Sequence, residues 1–140
     1  MKSLLIIILS LIVLSTGCGI EDNPTGNNNQ FIDRLTLGKG LGGNGFQLVE
    51  ETTTFSDSSA PIFFKLESKA DFEGAPISLR IEKKINGVYS FLKDFGYNNP
   101  QSNGHVFLSS FTLNERGEFK AIGINSYTSI RIASIEFVIN

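Results

Sequence analysis

Ile77-Ser78-Leu79-Arg80-Ile81-Glu82-Lys83-Lys84-Ile85-Asn86-Gly87-Val88 is the stretch that decides the fold. Its apolar residues at 77, 79, 81 and 85 alternate with polar ones over most of its length, the period of two that belongs to a half-buried strand. Asn86-Gly87 follows at once. An Asn-Gly pair between extended runs is a strong signal for a two-residue hairpin turn, because both central residues need positive φ. The return strand is expected over Val88 to Phe95.

Outward from this hairpin the pattern stays β. Pro61 to Ser68 puts Ile62, Phe64 and Leu66 on one side. Further strands fit Phe31 to Leu37, Phe46 to Phe55, His105 to Thr112, Glu118 to Asn125 and Ile130 to Ile139, with Asn114-Glu115-Arg116-Gly117 as a turn. No 3.6-residue apolar stripe is long enough for a helix. Short strands punctuated by turn signals and covered on one face predict an all-β antiparallel sandwich or barrel of about seven to eight strands. Phe64, Leu79, Ile81, Phe119 and Phe137 are expected in its core. A single cysteine excludes an internal disulfide, so the domain must hold by that core, for which twelve phenylalanines are at hand.

Between the two architectures the sandwich is favoured. Gly117-Glu118-Phe119-Lys120-Ala121-Ile122-Gly123-Ile124-Asn125 with Ala133-Ser134-Ile135-Glu136-Phe137-Val138-Ile139 resembles the closing hairpin of bacterial immunoglobulin-like domains. The resemblance implies an immunoglobulin-like β-sandwich. The chain departs from true immunoglobulin domains in having no tryptophan and no intersheet cysteine pair, and Phe119 lacks the hydroxyl of a tyrosine corner.

The N-terminus carries a different signal. Met1-Lys2 is a basic start, Leu4 to Leu14 is an almost unbroken apolar run, and Ser15-Thr16-Gly17 leads to Cys18. Such a leader reads as a secretory signal, and its run of about 11 residues is shorter than the about 20 needed to span a bilayer. It resembles a bacterial lipoprotein signal, with Ser15 standing where a large aliphatic residue is usual. The resemblance implies cleavage after residue 17, acylation of Cys18, and anchoring in the cell envelope, at the outer membrane or cell surface rather than the cytoplasmic membrane. Residues 18–30, rich in asparagine and glycine, read as a flexible tether whose ends lie roughly 20 Å apart. Residues 31–140 are left as the folded domain.

Without the leader, 11 basic side chains face 14 acidic ones, a net charge of about −3. No basic face for nucleic acid or polybasic membrane binding is implied. The lipid anchor is then the only membrane contact.

Strand parity gives an expected interaction surface. If all connections join antiparallel neighbours, the long loops 38–45, 69–76, 96–104 and 126–129 collect at the end opposite the tether. Tyr97, Asn98, Asn99, Gln101, Asn103 and Tyr127 would then form a distal recognition surface, since tyrosine gives rigid contact area and small amides give adaptable hydrogen bonds. Asn, Gly and Ser also fill ordinary exposed turns.

Chemistry is sparse. Gly38-Lys39-Gly40-Leu41-Gly42-Gly43 matches G-x-G-x-x-G, yet a strand rather than a helix follows, so it reads as a loop. One histidine and one thiol assemble no nucleophilic triad and no zinc site. His105 reads as structural. The scattered carboxylates follow no EF-hand spacing and leave a calcium site from loop oxygens open. Neither a cofactor nor a catalytic residue is expected. The preferred function is a non-catalytic envelope lipoprotein binding a protein or glycan partner. Its alternatives are a structural or accessory subunit docking through a sheet face or edge and, least favoured, a carboxylate-dependent hydrolase.

Overall fold

The computed structural model describes residues 31–43, 45, 47–99 and 104–140. Nine strands form two facing sheets, and no helix occurs among the described residues. The strands are β1 (Arg34–Leu41), β2 (Leu48–Glu51), β3 (Thr54–Phe55), β4 (Ile62–Glu67), β5 (Ile77–Ile85), β6 (Val88–Tyr97), β7 (Val106–Phe111), β8 (Gly117–Asn125) and β9 (Ile130–Ile139). One sheet has the order β2-β1-β4-β7 and the other β3-β9-β8-β5-β6. All pairings are antiparallel except β3 with β9.

The hairpin expected from Asn86-Gly87 is present, with Ile85 opposite Val88 and φ of 51° and 83° at the two turn residues. Alternation on β5 turns Ile77, Leu79 and Ile81 inward against Leu35, Leu37, Phe64 and Leu66 of the other sheet. Phe64, Leu79, Ile81, Phe119 and Phe137 are all at most 2% exposed, so the expected register holds. Phenylalanine fills the space that a disulfide and tryptophan would otherwise occupy. Phe119 stacks on Phe137 at 5.4 Å, and Phe64 contacts Phe107 and Phe111.

Two elements differ from the sequence expectation. Phe46 to Phe55 is not one strand. Pairing with β1 continues through Glu51 opposite Gly38 and the Thr52 amide's bond to the Leu37 carbonyl at 3.0 Å, and only then does the chain leave the first sheet, where Thr52 Oγ1 accepts the Thr54 amide at 3.0 Å. Phe55 then pairs with Ile139 on the opposite sheet and buries its ring edge-on against Phe137. The strand count therefore rises from the expected seven to eight to nine.

The glycine-rich stretch also departs from the loop expected over residues 38–45, since β1 runs through Gly38 and Gly40 to Leu41. Gly38 is required there because a Cβ would stand 2.9 Å from the Val49 carbonyl oxygen of β2. A missing side chain, not a loop, is what that glycine supplies.

The extra strand reverses the expected placement of every loop that follows it. β3 carries the chain back across the sandwich, so β4 starts at the end where β1 finishes. Residues 68–76, 104–105 and 126–129 consequently lie at the same end as Phe31–Asp33, where the described chain begins. The Lys69 amide donates to Asp33 Oδ1 at 2.8 Å, the Phe72 amide to the Gly104 carbonyl at 2.9 Å, and the Ser126 amide to the Pro76 carbonyl at 2.9 Å. Phe31 stacks on His105 at 4.5 Å. This end is the base. The opposite end, the tip, carries the end of β1, where the Gly42 amide donates to the Gln47 carbonyl, with the 56–60 connection, Asn86-Gly87 and the 112–116 connection.

Candidate binding groove at the base

Two loops at the base shape a groove, and local chemistry fixes both. In the 68–76 loop, Asp71 Oδ1 accepts the Glu73 amide at 2.7 Å and the Ala75 amide donates to the Phe72 carbonyl at 2.8 Å. Glu73 and Gly74 take positive φ, which closes the turn. The turn pushes Phe72 inward until it is 2% exposed. Facing it, the β8–β9 turn is held by Asn125 Oδ1, which accepts the amides of Tyr127 at 3.0 Å and Thr128 at 3.2 Å. That Asx arrangement leaves the Tyr127 ring outside the protein.

Between the loops lies a groove of about 430 Å³. Phe72, Ala75 and Ile132 line its apolar part, and Tyr127 and Ile130 border it while staying 76% and 61% exposed. Asp71 and Glu73 stand on its polar side, and neither is in an ion pair among the described residues. Grooves of about 300–1,000 Å³ with apolar walls and a few polar groups are the usual form of ligand sites.

The residues expected as a distal surface have separate fates. Tyr127 is exposed on the groove. Asn98 is exposed, whereas Asn99 is buried and its amide nitrogen and oxygen meet no hydrogen-bond partner among the described residues. Gln101 and Asn103 lie outside the described residues, as does Cys18 with the whole leader and tether.

Tyr97 is a correction. Its ring packs against Phe64 at 5.3 Å and Phe107 at 5.7 Å, and its hydroxyl donates to the Ser110 carbonyl at 2.9 Å. Burial pushes its phenol up to about 12. Tyr97 thus ties the open side between β6 and β7 and presents little surface to a partner. β1 ends at the tip, opposite the base, so the 38–45 stretch and Tyr127 stand at opposite ends and not side by side.

His105 has the structural role expected of it. Its Nδ1 lies 3.0 Å from the Ser68 carbonyl oxygen, an acceptor that fixes the ring proton on that nitrogen. Phe72, Ile130 and Ile132 were absent from the sequence-derived surface. Phe72, the one large apolar residue in the 68–76 loop, was the signal available for finding them.

Elsewhere the surface is occupied by its own pairs. On the outer face of the five-stranded sheet, Arg80 meets Asp94 at 3.0 and 3.1 Å, Lys84 meets Glu118 at 2.7 Å, and Lys120 meets Glu136 at 3.2 Å. Tyr89 lies across this face 4.4 Å from the Lys120 ammonium. Its hydroxyl, together with Lys120, holds the Glu136 carboxyl below the ordinary range. On the other sheet, burial raises the Glu67 carboxyl, but hydrogen bonds from Lys65 and Arg34 outweigh it and leave the group below its ordinary value. Comparison with protein-family models and with curated proteins found no match for this chain.

Proposed function

We propose that this chain is a lipid-anchored, non-catalytic binding module of the bacterial cell envelope that holds its partner in the groove at the base. The observation that carries the reading is the pairing of a buried floor at Phe72 with two large, exposed side chains, Tyr127 and Ile130, on a turn fixed by Asn125. Exposed aromatic and aliphatic anchors on a rigid rim are the usual centre of a recognition surface. The basic start, apolar run and small residues before Cys18 support the anchor. With the described chain beginning at the base, a tether of about a dozen residues would keep the partner close to the membrane.

Kinship with bacterial immunoglobulin-like domains is supported by strand order. β1-β4-β7 opposite β9-β8-β5-β6 follows the A-B-E and G-F-C-C′ order of immunoglobulin-type sandwiches. Fold alone assigns no partner. A second reading, an accessory subunit docking at the tip, draws on Ile85 and Val88, which flank Asn86-Gly87 at 56% and 65% exposure.

The test is photo-crosslinking in intact cells with a benzophenone amino acid at position 127 or at position 88, alongside metabolic labelling with a fatty acid. Acylation lost in Cys18→Ala and a discrete adduct from position 127 are expected. An adduct from position 88 alone would transfer the site to the tip. Membrane association without fatty-acid incorporation would remove the lipid anchor from the reading.

A further inference from the structure

The groove has a charge character that narrows its ligand. The 68–76 segment carries Asp71 and Glu73 against the one cation Lys69, and Asp33 adds a third carboxylate beside it. The apolar floor and the acidic side face the same space. Tyr127 adds an exposed aromatic face, a surface that attracts ammonium and guanidinium groups.

We propose that the base groove docks an extended peptide segment in which an aromatic or branched aliphatic side chain is flanked by lysine or arginine. The apolar side chain fills the space over Phe72 and Ile132. The cation beside it lies between the Tyr127 ring and the Glu73 carboxylate. This rests on the reading of the groove as the partner site and goes beyond it by assigning the partner's chemistry.

Two other occupants fit less well. The chain's own tether offers a single apolar residue, Ile20, followed by Glu21 and Asp22, whose charge matches rather than complements Asp71 and Glu73. An anionic bilayer surface meets the same repulsion, because negatively charged leaflets attract basic segments and these carboxylates are acidic.

The experiment uses the full chain in nanodiscs of zwitterionic lipid. Fluorescent pentapeptides with a Lys-Phe-Lys, Glu-Phe-Glu or Lys-Ala-Lys centre are titrated by anisotropy. Lys-Phe-Lys is expected to bind at least tenfold more tightly than either of the others, and to weaken as salt is raised. Glu73→Lys should abolish or invert the charge preference. It preserves the Asx turn, because Asp71 accepts the backbone amide of residue 73 and not its side chain. Ile130→Asp should weaken Lys-Phe-Lys tenfold or more, with an unchanged thermal midpoint showing that the fold is intact.

Equal binding of the acidic and basic peptides, or a Glu73→Lys variant with unchanged preference, overturns the proposal. If an adduct forms at position 127 in cells but the Lys-Phe-Lys peptide does not compete for it, the ligand class is wrong while the groove stands as a site. If no adduct forms there, the groove reading itself fails. Nitroxide-labelled lipid that quenches tyrosine emission in the wild type but not in Tyr127→Phe would make the bilayer the occupant instead.

Discussion

At the base, the long 68–76 loop and the β8–β9 turn are fixed by backbone and Asx hydrogen bonds and enclose a groove over Phe72. At the tip, Asn86-Gly87 and its neighbours are short, and Ile85 and Val88 simply project beyond the sandwich. Both ends expose apolar side chains, yet among the described residues only the base sets them beside a buried floor. Exposure alone therefore says little about binding, since single exposed apolar residues are common on any protein surface. An anchored side chain inside its own loop is what converts a long connection into a shaped surface.

The sharpest way to break that comparison is to remove the anchor. Phe72→Ala should cost about 3–5 kcal/mol, as expected for a fully buried phenylalanine, measured by urea denaturation. Such a loss from a loop residue would show the base to be an extension of the core. A loss under about 1 kcal/mol would mean that the loop is held by its hydrogen bonds alone.

A second substitution addresses β2, the strand that leads into the sheet switch. Gly38→Ala places a methyl group 2.9 Å from the Val49 carbonyl oxygen and 3.3 Å from Leu48 Cβ. Backbone must shift to admit it, at about 1–3 kcal/mol. If Gly38→Ala is neutral in thermal unfolding, β2 is loosely held and the sheet switch after Thr52 does not depend on its close approach.

What the sequence revealed follows from which features are local. Period-two alternation from Ile77 to Ile85 and the Asn86-Gly87 pair identified β5, β6 and their turn, because burial on one face and positive φ leave direct traces in residue type. Register was legible for the same reason, and Phe64, Phe119 and Phe137 are buried accordingly. The sheet switch inside Phe46 to Phe55 was not. It depends on a break after Thr52, inside a run of threonines that reads as ordinary strand, and on a parallel pairing with residues more than eighty positions away. Missing one short strand inverted the parity of every later connection and moved the 69–76 and 126–129 loops from the tip to the base. Tyr97 misled in a related way. Its composition matched a recognition loop, but its place at the end of β6 turned it into the space between the sheets.

Tyr97 also offers a test of smaller size. Tyr97→Phe keeps the ring against Phe64 and removes the bond to Ser110, which should cost about 1 kcal/mol at neutral pH. Because the folded phenol is raised to about 12, its contribution is complete below the unfolded value of about 10 and is lost as pH climbs through 12. Wild type should therefore lose stability over that interval by more than the variant. Identical alkaline profiles would show that the hydroxyl is solvated and the seam between β6 and β7 open.

Glu67 gives the acidic counterpart near the base. Its carboxyl is lowered, so the stability it contributes is present above the unfolded value of about 4.3 and fades as pH falls through the folded one. Arg34 is half exposed and screened, which limits Glu67→Gln to about 1 kcal/mol at pH 7. The gap between wild type and variant should close once pH falls below the lowered folded value. A gap that persists there would assign the effect to packing of the side chain rather than to its charge.

The smallest effect belongs to the tip. Ile85→Ser with Val88→Ser removes two exposed aliphatics that flank a turn whose geometry resides in Asn86 and Gly87. Nothing in the core moves, and the change in unfolding free energy should stay within about 0.5 kcal/mol. The contrast with Phe72→Ala is then at least about sixfold, set chiefly by burial. The same double variant separates the two ends functionally. If the tip only projects, peptide binding and crosslinking from position 127 are unchanged, whereas loss of the partner in a variant that unfolds like wild type would make Ile85 and Val88 the contact and leave the groove unused.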